Sequence, residues 1–211
     1  MKINKKGQLL SLRIIGILLL LLSAYIVWDN NSGDSSKTFW SFRRSSQKDI
    51  YSIQGNWINQ SGKEVRLNKF RGKVSIISFN FLECNKSCPQ LVHDLKLLDS
   101  TIETNKDKLQ FLVFLFDDVR NSPIKIKEFI KRHEINNKYW HVLTSNKENL
   151  NNLTEELLIK YEVIDKEISS YIHTNYIGII GSDGKIIKSY YGWQYETTKL
   201  VTEILNLTNK L

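Results

Sequence analysis

Residues 74–89 read VSIISFNFLECNKSCP, a run of strand length followed directly by two cysteines and a proline. The run Val74–Phe81 is β-branched and aromatic, which is typical of a buried β-strand. Residues 109–116 (LQFLVFLF) form a second run that is apolar enough to be buried on both faces. Between the two runs, apolar side chains recur at helical spacing, at Leu91, Leu95, Leu98 and Ile102. Continuous apolar strands that are separated by a helix predict a parallel sheet covered by helices.

The flanking sequence predicts one β-hairpin on each side of this unit and three further helices. The hairpins are Trp57–Leu67, which turns at residues 60–63, and Tyr176–Tyr191, which turns at residues 182–184. The helices run from Pro123 to Arg132 with Ser122 as the N-cap, from Lys147 to Tyr161, and from about Leu200 to Leu211. This order predicts an α/β sandwich with a mixed central sheet between layers of helices.

The N-terminal region predicts a membrane anchor. Residues 9–28 read LLSLRIIGILLLLLSAYIVW, with one charge at Arg13. A helix of about 20 residues crosses the hydrocarbon layer of a bilayer, which is roughly 30 Å thick. Lysines precede the span, so the rule of positive residues inside predicts a cytoplasmic stub (residues 1–8) and a domain in the periplasm or another extracytoplasmic space. A cleaved signal peptide is the alternative, although Ser23-Ala24 forms a poor cleavage site.

Residues 29–50 predict a polar linker, and residues 51–211 predict one folded domain. The linker is rich in Ser, Asn and basic residues and lacks an apolar period. The chain has 30 basic and 22 acidic residues, a net charge of +8. No basic cluster interleaved with aromatic residues stands out, so the composition does not indicate a nucleic-acid-binding protein. A non-catalytic binding module that uses the basic surface is a further hypothesis.

Cys84 and Cys88 are the two cysteines of the chain, and they lie between a predicted buried strand and the start of a predicted helix. A helix N-terminus favours the thiolate, which is both the nucleophile in disulfide exchange and a ligand for soft metals. A structural disulfide is the alternative, but closing so short a ring removes little entropy from the unfolded chain. A closed zinc site is disfavoured because it needs four ligands and the chain has two thiols. The three intervening residues allow both a disulfide and a shared metal ion.

An imidazole would complete a copper site, and the chain has four histidines. Two thiolates and one imidazole suit Cu(I), and the imidazole also helps to accept Cu(II). His93 and His133 lie on predicted helices, where solvent exposure is expected. His141 lies in a predicted connection and His173 in a predicted loop before the second hairpin. Periodicity alone does not separate these last two.

Several segments resemble the Sco (SenC-type) copper-chaperone family of the thioredoxin-like superfamily. They are residues 61–67, 71–74, 81–89 (FLECNKSCP), 116–123 (FDDVRNSP) and 173–185. The resemblance covers about residues 52–210. It implies a thioredoxin-like three-layer sandwich behind an N-terminal anchor. The metal-binding histidine of the family precedes the second hairpin at the spacing of His173, which favours His173 over His141.

The resemblance implies that Cys84, Cys88 and His173 bind copper, as Cu(I) or Cu(II). It also implies a role in maturing the copper centre of cytochrome c oxidase or of another exported cuproprotein. Some relatives are thought to act as thiol–disulfide reductases on cysteines of the oxidase, so Cys84 and Cys88 are also a candidate redox-active dithiol. Asp117 lies in the segment that resembles the family's Asp-Pro-x-Arg-Asp-Thr-Pro pattern. It is a candidate for orienting a neighbour of the ligands, and a plain surface carboxylate is the alternative.

The sequence departs from the family pattern in two places. Asn85-Lys86 replaces the usual Pro-Asp between the cysteines, which exchanges an anion for a cation. A cation there favours the nucleophilic thiolate, and it slightly weakens the binding of a metal cation by repulsion. Asp118 and Asn121 stand where the family has its proline and its second acid. These changes indicate a divergent member and bear on specificity for the oxidase more than on the thiol site.

Overall fold

The computed structural model of the chain describes residues 49–82, 87–117, 123–135, 138–165, 170–193 and 195–211. The predicted stub and anchor, nearly all of the predicted linker, and Cys84 lie outside the described residues. Lys48–Leu211 forms one compact unit. Within the ranges described, no helix has both the length and the apolar character needed to cross a bilayer.

The described residues form nine strands, seven of which build one mixed sheet. The strands are β1 (Trp57–Asn59), β2 (Glu64–Val65), β3 (Val74–Asn80), β4 (Leu109–Leu115), β5 (Trp140–Thr144), β6 (Tyr161–Asp165), β7 (Ser170–His173), β8 (Tyr176–Ile180) and β9 (Ile186–Tyr191). The sheet has the order β2-β1-β5-β4-β3-β8-β9, and β6 and β7 pair as a separate antiparallel hairpin. Strands β3, β4 and β5 are parallel, whereas β1, β2, β8 and β9 run antiparallel to their neighbours.

Helices cover both faces of this sheet. They are α1 (Ser87–Thr101), α2 (Pro123–Arg132), α3 (Lys147–Glu156) and α4 (Thr197–Thr208). Side chains of α1, α2 and α4 pack in one cluster with even-numbered residues of β3, such as Ile76. Side chains of α3 pack in a second cluster with odd-numbered residues of β3, such as Phe79. Every residue of β3 and β4 is buried, because both faces of these central strands are covered.

The carboxyl ends of the three parallel strands lie at one edge of the sheet. Asn80, the last residue of β3, pairs with Leu115, the last residue of β4. The chain that follows β3 leads to the thiol motif, and the chain that follows β4 leads to Asp117. The two segments therefore start side by side, at the edge where open α/β sheets bind their ligands.

The predicted strand–helix–strand unit and both predicted hairpins are present, and the second hairpin has the predicted bounds. The prediction that one helix runs from Lys147 to Tyr161 is wrong. Helix α3 ends at Glu156, and Leu158 adopts a left-handed conformation with φ of 54° that no α-helix continues. Tyr161 instead begins β6. The helical spacing of leucines ends where the backbone changes direction.

Two histidines predicted in irregular segments lie in strands instead. His141 was expected in a connection, yet it is the second residue of β5, a five-residue central strand. His173 was expected in a loop, yet it is the last residue of β7. Both strands are short, so neither shows enough alternation in its sequence to predict a strand. Pairing with a neighbouring strand determines their extended conformation.

Candidate metal and thiol site

The chain that leads into the thiol motif is held at Leu82. Its backbone N–H donates to Asp117 Oδ2 (2.6 Å), and its carbonyl oxygen accepts from Arg132 Nη1 (2.8 Å). Strand β3 ends at Asn80, so two charged side chains take the place of strand partners for Leu82. The Leu82 side chain is also buried, at 5% exposure. The residue two positions before Cys84 is thus fixed through both polar backbone groups and its side chain.

Asp117 is itself tied to the ends of the neighbouring strands. The Thr144 hydroxyl at the end of β5 donates to the Asp117 carbonyl oxygen (2.7 Å). The Phe116 N–H donates to the Asn80 carbonyl oxygen (2.9 Å). These bonds join the ends of β3, β4 and β5 in one network. The carboxylate of Asp117 thus accepts a hydrogen bond from Leu82, two residues before Cys84.

The His173 ring lies against two phenylalanine rings at the same edge of the sheet. The distance between ring centroids is 5.6 Å to Phe81 and 5.5 Å to Phe116. Strand β7 carries His173 and pairs it with Tyr161 of β6, whose ring stacks on Phe116 at 4.3 Å. The β6–β7 hairpin therefore brings an imidazole from far along the chain to the residues that precede Cys84.

One hydrogen bond of His173 orients its ring. His173 Nδ1 lies 3.2 Å from the carbonyl oxygen of Thr174. Because a carbonyl oxygen only accepts, Nδ1 is the donor in this hydrogen bond. Metal-binding histidines usually donate their second ring N–H in this way, which fixes the orientation of the ring. The half-buried ring of His173 is oriented by this bond, and Nε2 is the nitrogen on the opposite side of the ring.

The structure describes the thiol motif only in part. Cys84 lies outside the described residues, and Cys88 is described only as the second residue of α1. The N–H groups in the first turn of α1 have no partners within the helix, and no acidic residue lies in that turn. This environment favours a thiolate. Among the described side chains, which exclude those of both cysteines, no group of three or more His, Cys, Asp and Glu residues is arranged to hold a metal ion.

His141 lies towards the amino ends of the parallel strands, away from the edge where the thiol motif begins. Its ring contacts Phe70 at 5.0 Å between centroids. Burial, and then the charges of Lys69 and Lys73, lower the pKa of His141 below 6.5. An imidazole that packs on Phe70 and lies near two lysines belongs to the packing of the domain.

The other two histidines also lie away from the thiol motif or face solvent. His133 packs on Phe129 at 4.5 Å between centroids, and His93 is exposed on α1. All four histidines are in the described ranges, and His173 is the one whose ring contacts Phe81. Its ring therefore lies beside the end of β3, and His173 is also the histidine that the family resemblance favoured.

Two buried oxygen atoms, close in sequence to the candidate ligands, have no hydrogen-bond partner among the residues that the structure describes. They are Asn80 Oδ1, four residues before Cys84, and Asn175 Oδ1, two residues after His173. Buried polar atoms in folded proteins are nearly always paired, so an unpaired atom needs an explanation such as an absent ligand or water. Two thiolates and an imidazole form a soft donor set that suits copper. The donor chemistry and these unpaired atoms are compatible with a metal site at this edge.

A groove of about 660 Å³ opens beside His173. Asn151 and Glu155 of α3 line one side, and Tyr161 and Ile172 of the hairpin line the other. The Ile172 side chain is 60% exposed. The histidine is therefore reachable from outside the domain.

Sequence patterns did not predict the partners that hold this site. Arg132 was expected only to end a helix, and nothing in the spacing of α2 indicates its bond to Leu82. The aromatic contacts of His173 were missed because Tyr161 was assigned to a helix. The alternation of β6 and β7 was the available signal, but it is short.

The model of the SCO1/SenC family matches residues 44–209 of the chain. The SCO1 protein homolog of Bacillus subtilis is 26% identical over 137 residues, which are 64% of this chain and 70% of that protein. Arabidopsis thaliana ScoI, solved with copper bound, is similar with a TM-score of 0.63 at 20% identity, over 76% of this chain and 100% of that chain. BsSco is a Sco-family cytochrome c oxidase assembly protein in which a disulfide switch was identified. It is similar with a TM-score of 0.62 at 22% identity, over 75% of this chain and 94% of that chain.

These comparisons confirm two predictions from the sequence. The α/β architecture with a mixed central sheet is that of the Sco structures, which confirms the thioredoxin-like fold. The family match extends over the segments that resemble Sco proteins, from the first hairpin to the last helix. The chain belongs to the SCO1/SenC family.

Proposed function

We propose that this chain binds copper through Cys84, Cys88 and His173 and helps to assemble the copper centre of cytochrome c oxidase or of another exported cuproprotein. The observation that carries the proposal is the contact between the rings of His173 and Phe81, 5.6 Å apart. Phe81 lies three residues before Cys84, and this short separation along the chain supports a site that the imidazole and the thiols share. Family membership supports the proposal, because ScoI of Arabidopsis has been solved with copper bound and BsSco is an oxidase assembly protein.

Each part of the site has a defined task in this proposal. The thiolates bind Cu(I), and the Nε2 atom of His173 completes a three-coordinate site that also accepts Cu(II). The first turn of α1 favours the thiolate at position 88. Asp117 and Arg132 hold the chain before Cys84 through Leu82. A metal with three ligands remains open to an incoming ligand, so copper passes to a partner by ligand exchange.

Copper titration of the full chain in detergent tests this proposal. We expect the reduced chain to bind one Cu(I) ion in competition with a chelator, and Cys84→Ser or Cys88→Ser to abolish tight binding. His173→Ala should weaken Cu(II) binding by more than the roughly 10–100-fold that loss of an outer partner of a metal ligand costs. His93→Ala is the control, because His93 is exposed on α1. Equal Cu(II) affinity in the two histidine variants would remove His173 from the site.

A second candidate function is thiol–disulfide exchange on an exported partner protein. It is favoured by the position of Cys88 in the first turn of α1 and by the disulfide switch identified in BsSco. Lys86 adds a positive charge within the motif. In this case the dithiol should titrate in glutathione buffers, and Cys88→Ser should trap a partner as a mixed disulfide. A dithiol that does not respond to these buffers would exclude the exchange function.

We also propose that residues 9–28 anchor the chain as a single span, with the N-terminus in the cytoplasm and the domain in the periplasm or another extracytoplasmic space. The lysines before the span support this orientation. A reporter enzyme that is active only after export, fused to Leu211, should be active. Carbonate washing should leave the chain in the membrane fraction. Release by carbonate, or an inactive reporter, would contradict the anchor or its orientation.

A further inference from the structure

The amino ends of β3, β4 and β5 form one surface of the domain together with the turn between β8 and β9. Strand β8 runs antiparallel to β3 and pairs Ile180 with Ser75, so the turn that follows β8 lies beside the start of β3. The Gly72 N–H donates to the Ser182 carbonyl oxygen (2.9 Å), which joins this turn to the chain before β3. The surface is termed the amino-end face and comprises residues 69–73, 103–108, 138–139 and 181–185.

The amino-end face carries an excess of positive charge. Its basic residues are Lys69, Arg71, Lys73, Lys106, Lys108, Lys138 and Lys185, and its acidic residues are Glu103, Asp107 and Asp183. Each of the basic residues is exposed or partly exposed to solvent. Three of them form salt bridges, in the pairs Arg71–Asp49, Lys106–Asp99 and Lys185–Asp183. The excess of positive charge therefore comes chiefly from the other lysines of the face.

Two of these lysines lie close together. Burial, and then the charges of Lys69 and Lys73, lower the pKa of His141, so both ammonium groups lie near the same ring. Like charges that lie near each other repel, and an anion between them relieves the repulsion. The amino-end face is therefore suited to an anionic partner.

The chain enters the domain at the same face. Asp49 forms a β-bridge with Lys185, and its carboxylate pairs with Arg71. The Ile50 N–H donates to the Gly184 carbonyl oxygen (3.0 Å). The residues before Asp49 lead back to the proposed anchor, residues 9–28. A tether that starts in a bilayer and ends at this face raises the local concentration of lipid headgroups around it.

We propose that the amino-end face binds the anionic headgroups of the bilayer in which the chain is anchored. Lysine and arginine bind phosphate groups through charge-assisted hydrogen bonds, and basic residues close to a membrane anchor strengthen attachment to anionic lipids. Free phosphate offers the same chemistry, but the entry of the chain at this face favours the lipid. The inference rests on the proposed anchor and extends it, and it does not depend on copper.

Binding at this face places His173 on the side of the domain that is remote from the bilayer. Strand β3 has seven residues and spans roughly 23 Å, at about 3.3 Å for each residue. Phe81, whose ring contacts His173, follows the far end of that strand. An exported partner can therefore reach the histidine while the amino-end face stays on the lipid.

Acetylation of single lysines by a water-soluble reagent tests this inference. The full chain is reconstituted in vesicles of phosphatidylcholine, with or without phosphatidylglycerol, and mass spectrometry gives the rate at each lysine. Lys69, Lys73 and Lys185 should react more slowly in the anionic vesicles. Lys199, which is exposed in the first turn of α4, is the internal control and should react equally in both. Raising NaCl to about 1 M, where the Debye length is about 3 Å, should remove the protection.

The double variant Lys69→Gln/Lys73→Gln tests whether charge causes the protection. Each charge that is removed should weaken the attachment of the face by about fivefold, so Lys185 should react almost as fast in anionic vesicles as in neutral ones. The variant Lys160→Gln/Lys199→Gln is the matched control. It removes the same charge from exposed positions outside the amino-end face and should leave Lys185 protected.

Two results would overturn the inference. Equal rates at the three lysines in both kinds of vesicle would exclude a lipid surface and leave an acidic protein as the partner of the face. Equal protection by inorganic phosphate, added to the chain in neutral vesicles, would make the face a site for free anions.

The failure of this inference and that of the proposed anchor are distinguishable. A chain that carbonate washing releases, but whose lysines are protected by anionic vesicles, would contradict the anchor alone. A chain that resists carbonate, but whose lysines react equally in both kinds of vesicle, would contradict lipid binding by the amino-end face alone.

Discussion

At the scale of single residues, Asp117 replaces a missing strand partner. Its carboxylate accepts the Leu82 N–H at 2.6 Å, and Leu82 is buried. Asp117→Ala leaves that N–H unpaired, so we expect the free energy of unfolding to fall by about 1–3 kcal/mol. Asp117→Asn keeps an oxygen acceptor and should lose less. Urea unfolding of the full chain in detergent, followed by tryptophan fluorescence, measures both values.

The Cu(I) affinity of the same two variants tests whether this bond also serves the metal site. We expect copper to be lost more readily from Asp117→Ala than from Asp117→Asn, because only the alanine variant frees the chain before Cys84. Equal unfolding free energies for the alanine variant and the native chain would show that the bond to Leu82 does not hold this segment.

A single residue could be predicted from the sequence when its signal is local, and could not when its partners lie far along the chain. Cys84 and Cys88 were predicted because a local motif between a strand and a helix carries the signal. His173 needed the family resemblance, since its contact with Phe81 joins distant parts of the chain. Arg132 was not predicted, because its bond to Leu82 depends on which groups meet at the sheet edge after folding.

At the scale of elements, the β6–β7 hairpin determines where His173 lies. Tyr161 ties this hairpin to the domain through its ring, which stacks on Phe116, and its hydroxyl, which donates to Asn151 Oδ1 at 2.7 Å. We expect Tyr161→Ala to remove both contacts and to speed the dissociation of Cu(II), because the histidine is then less well positioned. Stopped-flow transfer of Cu(II) to a chelator measures this rate.

Tyr161→Phe separates the two contacts of this residue. It keeps an aromatic ring on Phe116 and loses only the hydrogen bond to Asn151, which contributes about 0.5–1.5 kcal/mol. Its copper dissociation rate should therefore stay near that of the native chain. Fast release from the phenylalanine variant, equal to that of Tyr161→Ala, would contradict a role for ring stacking.

The elements differ in how well the sequence predicts them, and the reason is their length and burial. Strands β3 and β4 were predicted because both faces are covered, which makes their sequences continuously apolar. Strands β5, β6 and β7 were missed, since segments of four or five residues are too short to show the alternation that is typical of a strand. Helix α3 was predicted too long because Leu157 continues its apolar spacing while Leu158 turns the backbone.

At the scale of the whole molecule, opposite ends of the parallel strands carry different charge environments. Near the carboxyl ends, the charged side chains of Asp117 and Arg132 bond to the backbone of Leu82. Nearer the amino ends, Lys69 and Lys73 lie close enough to His141 to lower its pKa. The fold class followed from the order of strands and helices, but this distribution of charge depends on the parallel arrangement of three strands.

The stability of the whole domain should fall in mild acid because of His141. Its pKa lies below 6.5 in the folded chain, first through burial and then through Lys69 and Lys73. Below pH 6.5 the unfolded chain therefore binds more protons than the folded chain, and the free energy of unfolding decreases as the pH falls. Urea unfolding of the full chain at pH 7, 6 and 5 measures this slope. His133, whose pKa is lowered by burial, Arg132 and Lys96, contributes in the same direction.

Charge variants near His141 test the cause of this slope. Lys69→Gln and Lys73→Gln each remove a cation that opposes protonation of the imidazole, so each should make the slope between pH 7 and pH 5 shallower. Lys199→Gln removes the same charge from an exposed position on α4 and should leave the slope as it is. His141→Gln should flatten the slope most, leaving the part that belongs to His133. A slope that is the same in His141→Gln and in the native chain would mean that other groups set the acid limit of the fold, and that the lysines around His141 do not influence it.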